Sequence, residues 1–215
     1  MSTNPAPVAP PSDASLRPDW RTQLLMPLVA VSAIGLVVAL AMRSMGRAWF
    51  CACETPRFWV GSAWSRHTSQ HLLDPYSFTH VAHGFVFFFA LAALATWLGR
   101  GSRFAGRTQL FVVAMLIEAA WEILENSPII IDRYRAATAS LDYTGDSVVN
   151  AMGDLLACAA GYVLASRLGL VRTLAVFVVF EVVLLFTIRD NLSLNVLMLL
   201  APVDAIKQWQ VGAAG

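Results

Sequence analysis

Five apolar runs separated by short polar segments organise this chain, at 24–42, 78–98, 110–126, 147–166 and 172–188. Each reads as a membrane helix. A span needs about 20 apolar residues, with about 17 as the lower limit, so the third and fifth runs are the shortest. Both also carry glutamate. A sixth run, 192–203, is too brief to span and reads as a re-entrant or interfacial piece packed on protein. The expected fold is therefore all-α: a polytopic helical membrane bundle of about five transmembrane helices plus a short C-terminal helix. Residues 1–20, rich in Pro, Ala and Ser, read as a disordered tail. Residues 21–210 form a single transmembrane domain with an extramembrane loop at 43–79, and 211–215 are a C-terminal tail.

Composition agrees with this pattern. Of 215 residues, 57% are hydrophobic and 13% charged, and the mean hydropathy is +0.61. A soluble domain carries about 25% charged residues. The formal net charge of +1 gives no basis for nucleic-acid binding. Ala39 and Ala41 mimic a signal-peptidase site. The run before them exceeds the ~7–15 residues of a signal segment, so it reads as an uncleaved helix. Raw counts of basic residues do not orient the bundle. The loops at 99–109 and 167–172 are short, basic and free of acids, whereas Arg133, Arg135 and Arg189 sit among Asp132, Asp142 and Asp190. The positive-inside rule weighs short loops most. It places those loops and the N-terminus in the cytoplasm.

The polar residues left inside the apolar runs carry the chemistry. The second run begins with His80 and His83, at i and i+3, and so on one helix face. The third carries Glu118, Glu122 and Glu125 at i, i+4 and i+7, and the fourth carries Asp146, Asn150 and Asp154 at i, i+4 and i+8. An up-down bundle brings these ends to one side of the membrane, whichever side that is. Lipid does not accept such stripes, so they should face the bundle interior. Ala151, Gly153, Ala157, Ala160 and Gly161 allow a neighbouring helix to come close.

This set suits three uses. As a divalent metal centre for Zn, Fe or Mn, its ligands are His80, His83, Glu122 and Asp146, with Glu122, Glu125, Asp146, Asp154 and Asn150 as acid–base candidates. As a proton relay, protons pass between Glu and His. As structural glue, Glu122 and Glu125 pair with Arg133 and Arg135. Glu118 and Glu181 lie deeper and read as helix–helix hydrogen-bond partners. Arg133, Arg135, Tyr143 and Arg189 are candidates for holding an anionic lipid head group.

Weaker signals sit outside the spans. Cys51-x-Cys53 followed by His67 and His71 loosely follows a zinc-ligand order, but C-x-C is an atypical spacing. Cys158 reads as inert packing, and Phe85-Val-Phe-Phe-Phe89 as lipid-facing bulk. Trp49, Trp59, Trp64 and Trp209 fit an interfacial aromatic belt, and Asp74-Pro75 fits the turn leading into the second helix. Walker A, G-x-S-x-G, H-E-x-x-H and Rossmann glycine patterns are missing.

Five strings occur in order: Ser69-Gln-His-Leu-Leu-Asp-Pro-Tyr-Ser-Phe-Thr-His-Val-Ala-His-Gly84, Glu118-Ala-Ala-Trp-Glu-Ile-Leu-Glu-Asn-Ser127, Arg133-Tyr-Arg-Ala-Ala-Thr138, Leu141-Asp-Tyr-Thr-Gly-Asp-Ser147 and Arg189-Asp-Asn-Leu-Ser-Leu-Asn195. Together they resemble an uncharacterised bacterial multi-pass inner-membrane protein family of unknown function, over about Arg21 to Gln210. The resemblance implies a bacterial inner-membrane protein and carries no activity with it. The residues favour a metal-dependent, lipid-facing hydrolase or transferase with a periplasmic pocket. A proton- or cation-coupled transporter and a scaffold or assembly protein are the alternatives.

Overall fold

The structure, a computed structural model, describes residues 20–53, 55–99, 107–138 and 142–212. Nearly all of the N-terminal tail, most of the 99–109 loop and residues 213–215 lie outside this range. The described residues form eight helices: α1 Trp20–Ser44, α2 Ser77–Trp97, α3 Arg107–Glu125, α4 Pro128–Ala137, α5 Val148–Leu168, α6 Leu170–Ile188, α7 Leu192–Leu200 and α8 Asp204–Val211. No strand occurs among them; Trp59 and Leu73 form an isolated parallel bridge.

Four helices are long and apolar enough to cross a membrane: α1, α2, α5 and α6. The third expected span, α3, reaches 19 residues, but Glu118, Glu122 and Glu125 dilute its apolar character. It packs on α1, α2 and α5. Its glutamates thus face helices, as the stripe argument expects.

α5 is the hub. Of its apolar window, 61% is buried, against 17% for α6. The main core joins Ile34, Val38 and Met42 of α1, Ala114 and Met115 of α3, and Ala151, Leu155, Cys158 and Tyr162 of α5. Cys158 is buried there, as the packing reading expects. The α2–α5 contact is the most extensive in the bundle, and small residues make it possible. A Cβ on Gly161 would stand 2.1 Å from the carbonyl oxygen of Val81, and one on Gly153 would stand 1.8 Å from that of Leu72. The outer faces are apolar: Val171 and Phe186 of α6 are 80% and 82% exposed, as a helix facing hydrocarbon requires. The four tryptophans of the expected belt are also exposed. The Phe85–Phe89 stretch departs from its lipid-facing reading, because Phe85 is buried and stacks on Phe180, while Phe88 meets Tyr162 edge-on.

The 45–76 segment lies over the start of α5. The amides of Val148 and Val149 donate to the carbonyls of Ala48 and Trp49, and that of Ser147 donates to Ser69. Helix starts leave such N–H groups without partners, so both arms of the loop cap α5. Ser147 adds a side-chain cap to the amide of Asn150. At the other loop end, Asp74 accepts from the amides of Ser69 and Tyr76, fixing the turn into α2.

The short C-terminal run forms α7, which stops before Pro202, and α8 follows beyond the run. Arg189, in the left-handed region at φ 51°, turns the chain back after α6. The carboxylate of Glu181 then accepts from the amides of Leu192 and Ser193. Glu181 lies about 10 Å back along α6 from its end. The start of α7 is therefore tied to α6, while the body of the helix packs on α4. α4, which the sequence left within a loop, starts at a Ser127-Pro128 cap.

Candidate functional site

α2, α3 and α5 bring their polar stripes together near the loop-covered ends. His80 is the centre of the group. Its Nδ1 lies 2.6 Å from Glu118 Oε1 and 3.4 Å from Glu122 Oε1, and its Nε2 lies 3.9 Å from Asp154 Oδ2. His83 Nδ1 reaches Glu118 Oε1 and Oε2 at 3.2 and 3.0 Å. Glu118, fully buried, thus accepts from two imidazoles and sets the orientation of both rings. The two rings meet edge-on at 5.0 Å. Ser77 donates to Asp154 Oδ1 at 2.9 Å, extending the chain to the start of α2.

Glu122 differs from its neighbours. It is fully buried, and neither carboxylate oxygen has a hydrogen-bond partner among the described residues. Oε2 of Glu125 is likewise unpartnered, while its Oε1 receives the Tyr134 hydroxyl at 2.8 Å. Buried carboxylate oxygens are costly when unpaired. Two ligand sets have atoms all within 4.8 Å of one another: His80, His83 and Glu118, and His80, Glu122 and Glu125.

The other expected site residues sit around this centre. Asp146 is buried, but its oxygens are occupied by Asn126 Nδ2 at 2.8 Å and the Tyr143 hydroxyl at 2.9 Å. Burial raises its carboxyl above the ordinary range. It stands outside both ligand sets. Asn150 donates to the carbonyl of His71 at 2.8 Å and so holds the loop. Arg133 Nε donates to Leu199 O, Arg135 Nε to Tyr143 O, and Arg189 Nη1 to Trp209 O. Arg189 also stacks over Trp209. Arg135 is paired with Asp132; no ion pair joins the two arginines to Glu122 or Glu125 among the described residues. The structure thus brings together His80, His83, Glu122, Glu125 and Asp154, and leaves Asp146, Asn150 and the arginines as ties between elements.

Comparison with known proteins bears on the resemblance. The family model described as "Protein of unknown function (DUF2585)" matches residues 42–212. The chain belongs to this DUF2585 family. A UPF0314 protein of Rhizobium meliloti (strain 1021) is 43% identical over 199 residues, covering 93% of this chain and 98% of the relative. UPF0314 proteins of Sphingopyxis alaskensis and Paracoccus denitrificans are each 44% identical over 189 residues, covering 86% and 88% of this chain and 94% of each relative. No solved structure matches.

Two features of this DUF2585 chain went beyond the stripe reading. The first is Glu118. It lies about 10 Å from the end of α3, and His80 only about 5 Å from the start of α2. The helix ends are staggered, so the deeper glutamate is the one level with both histidines. The second is in the loop, where Cys51, Cys53, His67 and His71 present ligand atoms all within 4.8 Å of one another. Cys51 Sγ is 3.3 Å from His67 Nδ1, and Cys53 Sγ is 3.7 Å from His71 Nε2. Hydrogen bonds from Cys51 and Thr55 hold the Cys53 thiol down at about 7, while burial raises that of Cys51. Burial, and then the His67 charge, lower His71 below the usual histidine value.

Proposed function

We propose that this protein is a metal-dependent, lipid-facing hydrolase or transferase of the bacterial inner membrane, with its His/carboxylate centre at the periplasmic ends of the helices. His80, His83 and Glu118 would hold a divalent cation, with Glu122 and Glu125 completing its surroundings. The observation that carries this reading is Glu122, whose buried oxygens face His80 without a hydrogen bond. A cation of the Zn, Fe or Mn type would satisfy them.

A groove beside the centre supports a lipid substrate. Phe58, Trp59, Leu72, Phe78, Val81 and Leu156 line a cavity of about 360 Å³ between the loop, α2 and α5. Its wall includes Ser77, whose hydroxyl bonds Asp154. An acyl chain in the groove would thus lie against Ser77, whose partner Asp154 stands 3.9 Å from His80 Nε2. A bound cation would polarise an ester or phosphoester and lower the pKa of a coordinated water. Glu125 would serve as the base, because Tyr134 fixes one oxygen and leaves the other open.

The asymmetry of the bundle weighs against proton- or cation-coupled transport. α2 after His83, and α5 between Asp154 and Arg167, carry no charged residue. A transporter needs a path across the whole bilayer, whereas this chemistry is confined to one end.

The test is the difference in metal content between the wild type and His80→Ala, both purified from metal-replete cells. About one divalent ion per chain should be lost in the variant. Equal metal content in the two proteins sinks the proposal. Glu122→Gln supplies the control for folding, since it removes a charge that has no hydrogen-bond partner in the protein. It should keep the fold and lose the metal.

A further inference from the structure

From the geometry of the 45–76 loop, we infer a second metal site, independent of the centre between the helices: a structural Cys2His2 zinc site formed by Cys51, Cys53, His67 and His71. The four ligand atoms lie within 4.8 Å of one another. Tetrahedral zinc takes thiolate at about 2.3 Å and imidazole at about 2.0 Å, so ligand atoms around one ion stand less than 4 Å apart. The closest observed pairs, 3.3 and 3.7 Å, are already in that range. All three cysteines are free thiols. A bridge between Cys51 and Cys53 would join residues two apart, where disulfide geometry is strained. Four protein ligands close the coordination sphere, which is the mark of a structural site.

The site has a mechanical role that follows from where its ligands sit. The loop leaves α1 along one arm and returns to α2 along another. The outgoing arm gives the carbonyls of Ala48 and Trp49 to the first amides of α5. The returning arm gives that of Ser69 to the amide of Ser147, that of Gln70 to the Ser147 hydroxyl and that of His71 to Asn150. Cys51 and Cys53 lie just beyond the first set of contacts, and His67 and His71 flank the second. Zinc would therefore cross-link the two arms at the point where both cap α5. Closing a loop in this way removes conformational freedom from the unbound chain and couples metal binding to folding.

One contact must change on binding. The Arg57 amide donates to Nδ1 of His71 at 3.1 Å, so in the neutral ring the proton sits on Nε2, facing Cys53. Coordination through Nε2 moves the proton to Nδ1 and turns the Arg57 amide away. Coordination through Nδ1 displaces that amide directly. Either route predicts a shift of the backbone at Arg57 when zinc enters.

The experiment uses the full chain in detergent, stripped of metal and then loaded with zinc or with Co(II) as a visible probe. Zinc should bind at about one equivalent at this site, and Co(II) should give the intense bands of tetrahedral thiolate coordination. Cys51→Ser with Cys53→Ser should abolish the thiolate bands and lower the bound zinc by about one equivalent. His80→Ala should leave them intact, which separates this site from the one proposed between the helices. His67→Ala should lose zinc and His67→Cys should regain it, because Cys3His is also a zinc ligand set. That rescue distinguishes ligation from a folding defect. A Co(II) spectrum without thiolate bands, a Cys51–Cys53 disulfide in the purified protein, preferential binding of Cu(I), or a double serine variant that binds as much zinc as the wild type would each overturn the inference.

Discussion

The four histidines form two pairs that differ in the company they keep. His80 and His83 rise from one face of α2 into a buried nest of carboxylates. His67 and His71 sit in the loop with two half-buried thiols. The same side chain thus serves two chemistries less than twenty residues apart. In the helical pair, Glu118 accepts from both rings at short range. In the loop pair, the contacts are longer and softer and include sulfur. The helical nest should therefore hold its geometry without metal, and the loop cluster should depend on one.

The largest expected effect tests the first half of that contrast. Glu118→Ala strips buried His80 and half-buried His83 of their shared acceptor and should destabilise the fold by about 3–5 kcal/mol, the usual cost of breaking a buried pair. His67→Ala in metal-free protein should cost under about 1 kcal/mol, in the range of a partly exposed side chain away from the core. Denaturant melts of both variants would decide the matter. Equal losses would erase the distinction between the two pairs.

Gly153→Ala comes next, because it attacks the joint between the two regions. Its new methyl would collide with the Leu72 carbonyl, next in sequence to His71. Overpacking of this kind costs about 1–3 kcal/mol, and here it should also weaken zinc binding in the loop. A smaller effect is expected from Asn150→Ala, which removes the bond to the His71 carbonyl at a cost of about 1 kcal/mol. Calorimetric zinc titration of that variant should show weaker loop binding, with the helical centre unaffected. The mildest test is chemical. In metal-stripped folded protein, Cys53 should alkylate before Cys51, with a rate that rises through about pH 7 as its thiol deprotonates. Uniform labelling of the two would count against the geometry of the loop.

The stripes were legible in the sequence because helical spacing alone puts His80 with His83, and Glu118 with Glu122 and Glu125, on single faces. Which members of each stripe meet was not legible, since the stagger of α2 against α3 is a tertiary quantity. That stagger promoted Glu118 to the hub. Asp146 shows the opposite case: it belongs to the stripe by spacing, yet it precedes the first turn of α5 and is claimed by Asn126 and Tyr143. The short helices α4 and α8 were missed because they are polar and lack the long apolar run that marked the spans. The Cys/His cluster was seen as an order of ligand types, but C-x-C carries little weight until the fold brings His67 and His71 to it.

Asn150 and Asp154 stand one turn apart on α5, and each reaches a different cluster: the loop through the His71 carbonyl, and the helical nest through His80 Nε2. A substitution between them changes one side chain. An insertion or deletion there would rotate everything beyond it by about 100° and move it along the axis by about 1.5 Å. Either lesion would unhook one cluster from the other. Even a substitution at Gly153 or Asn150 should therefore be tolerated better than any change in the length of 150–154.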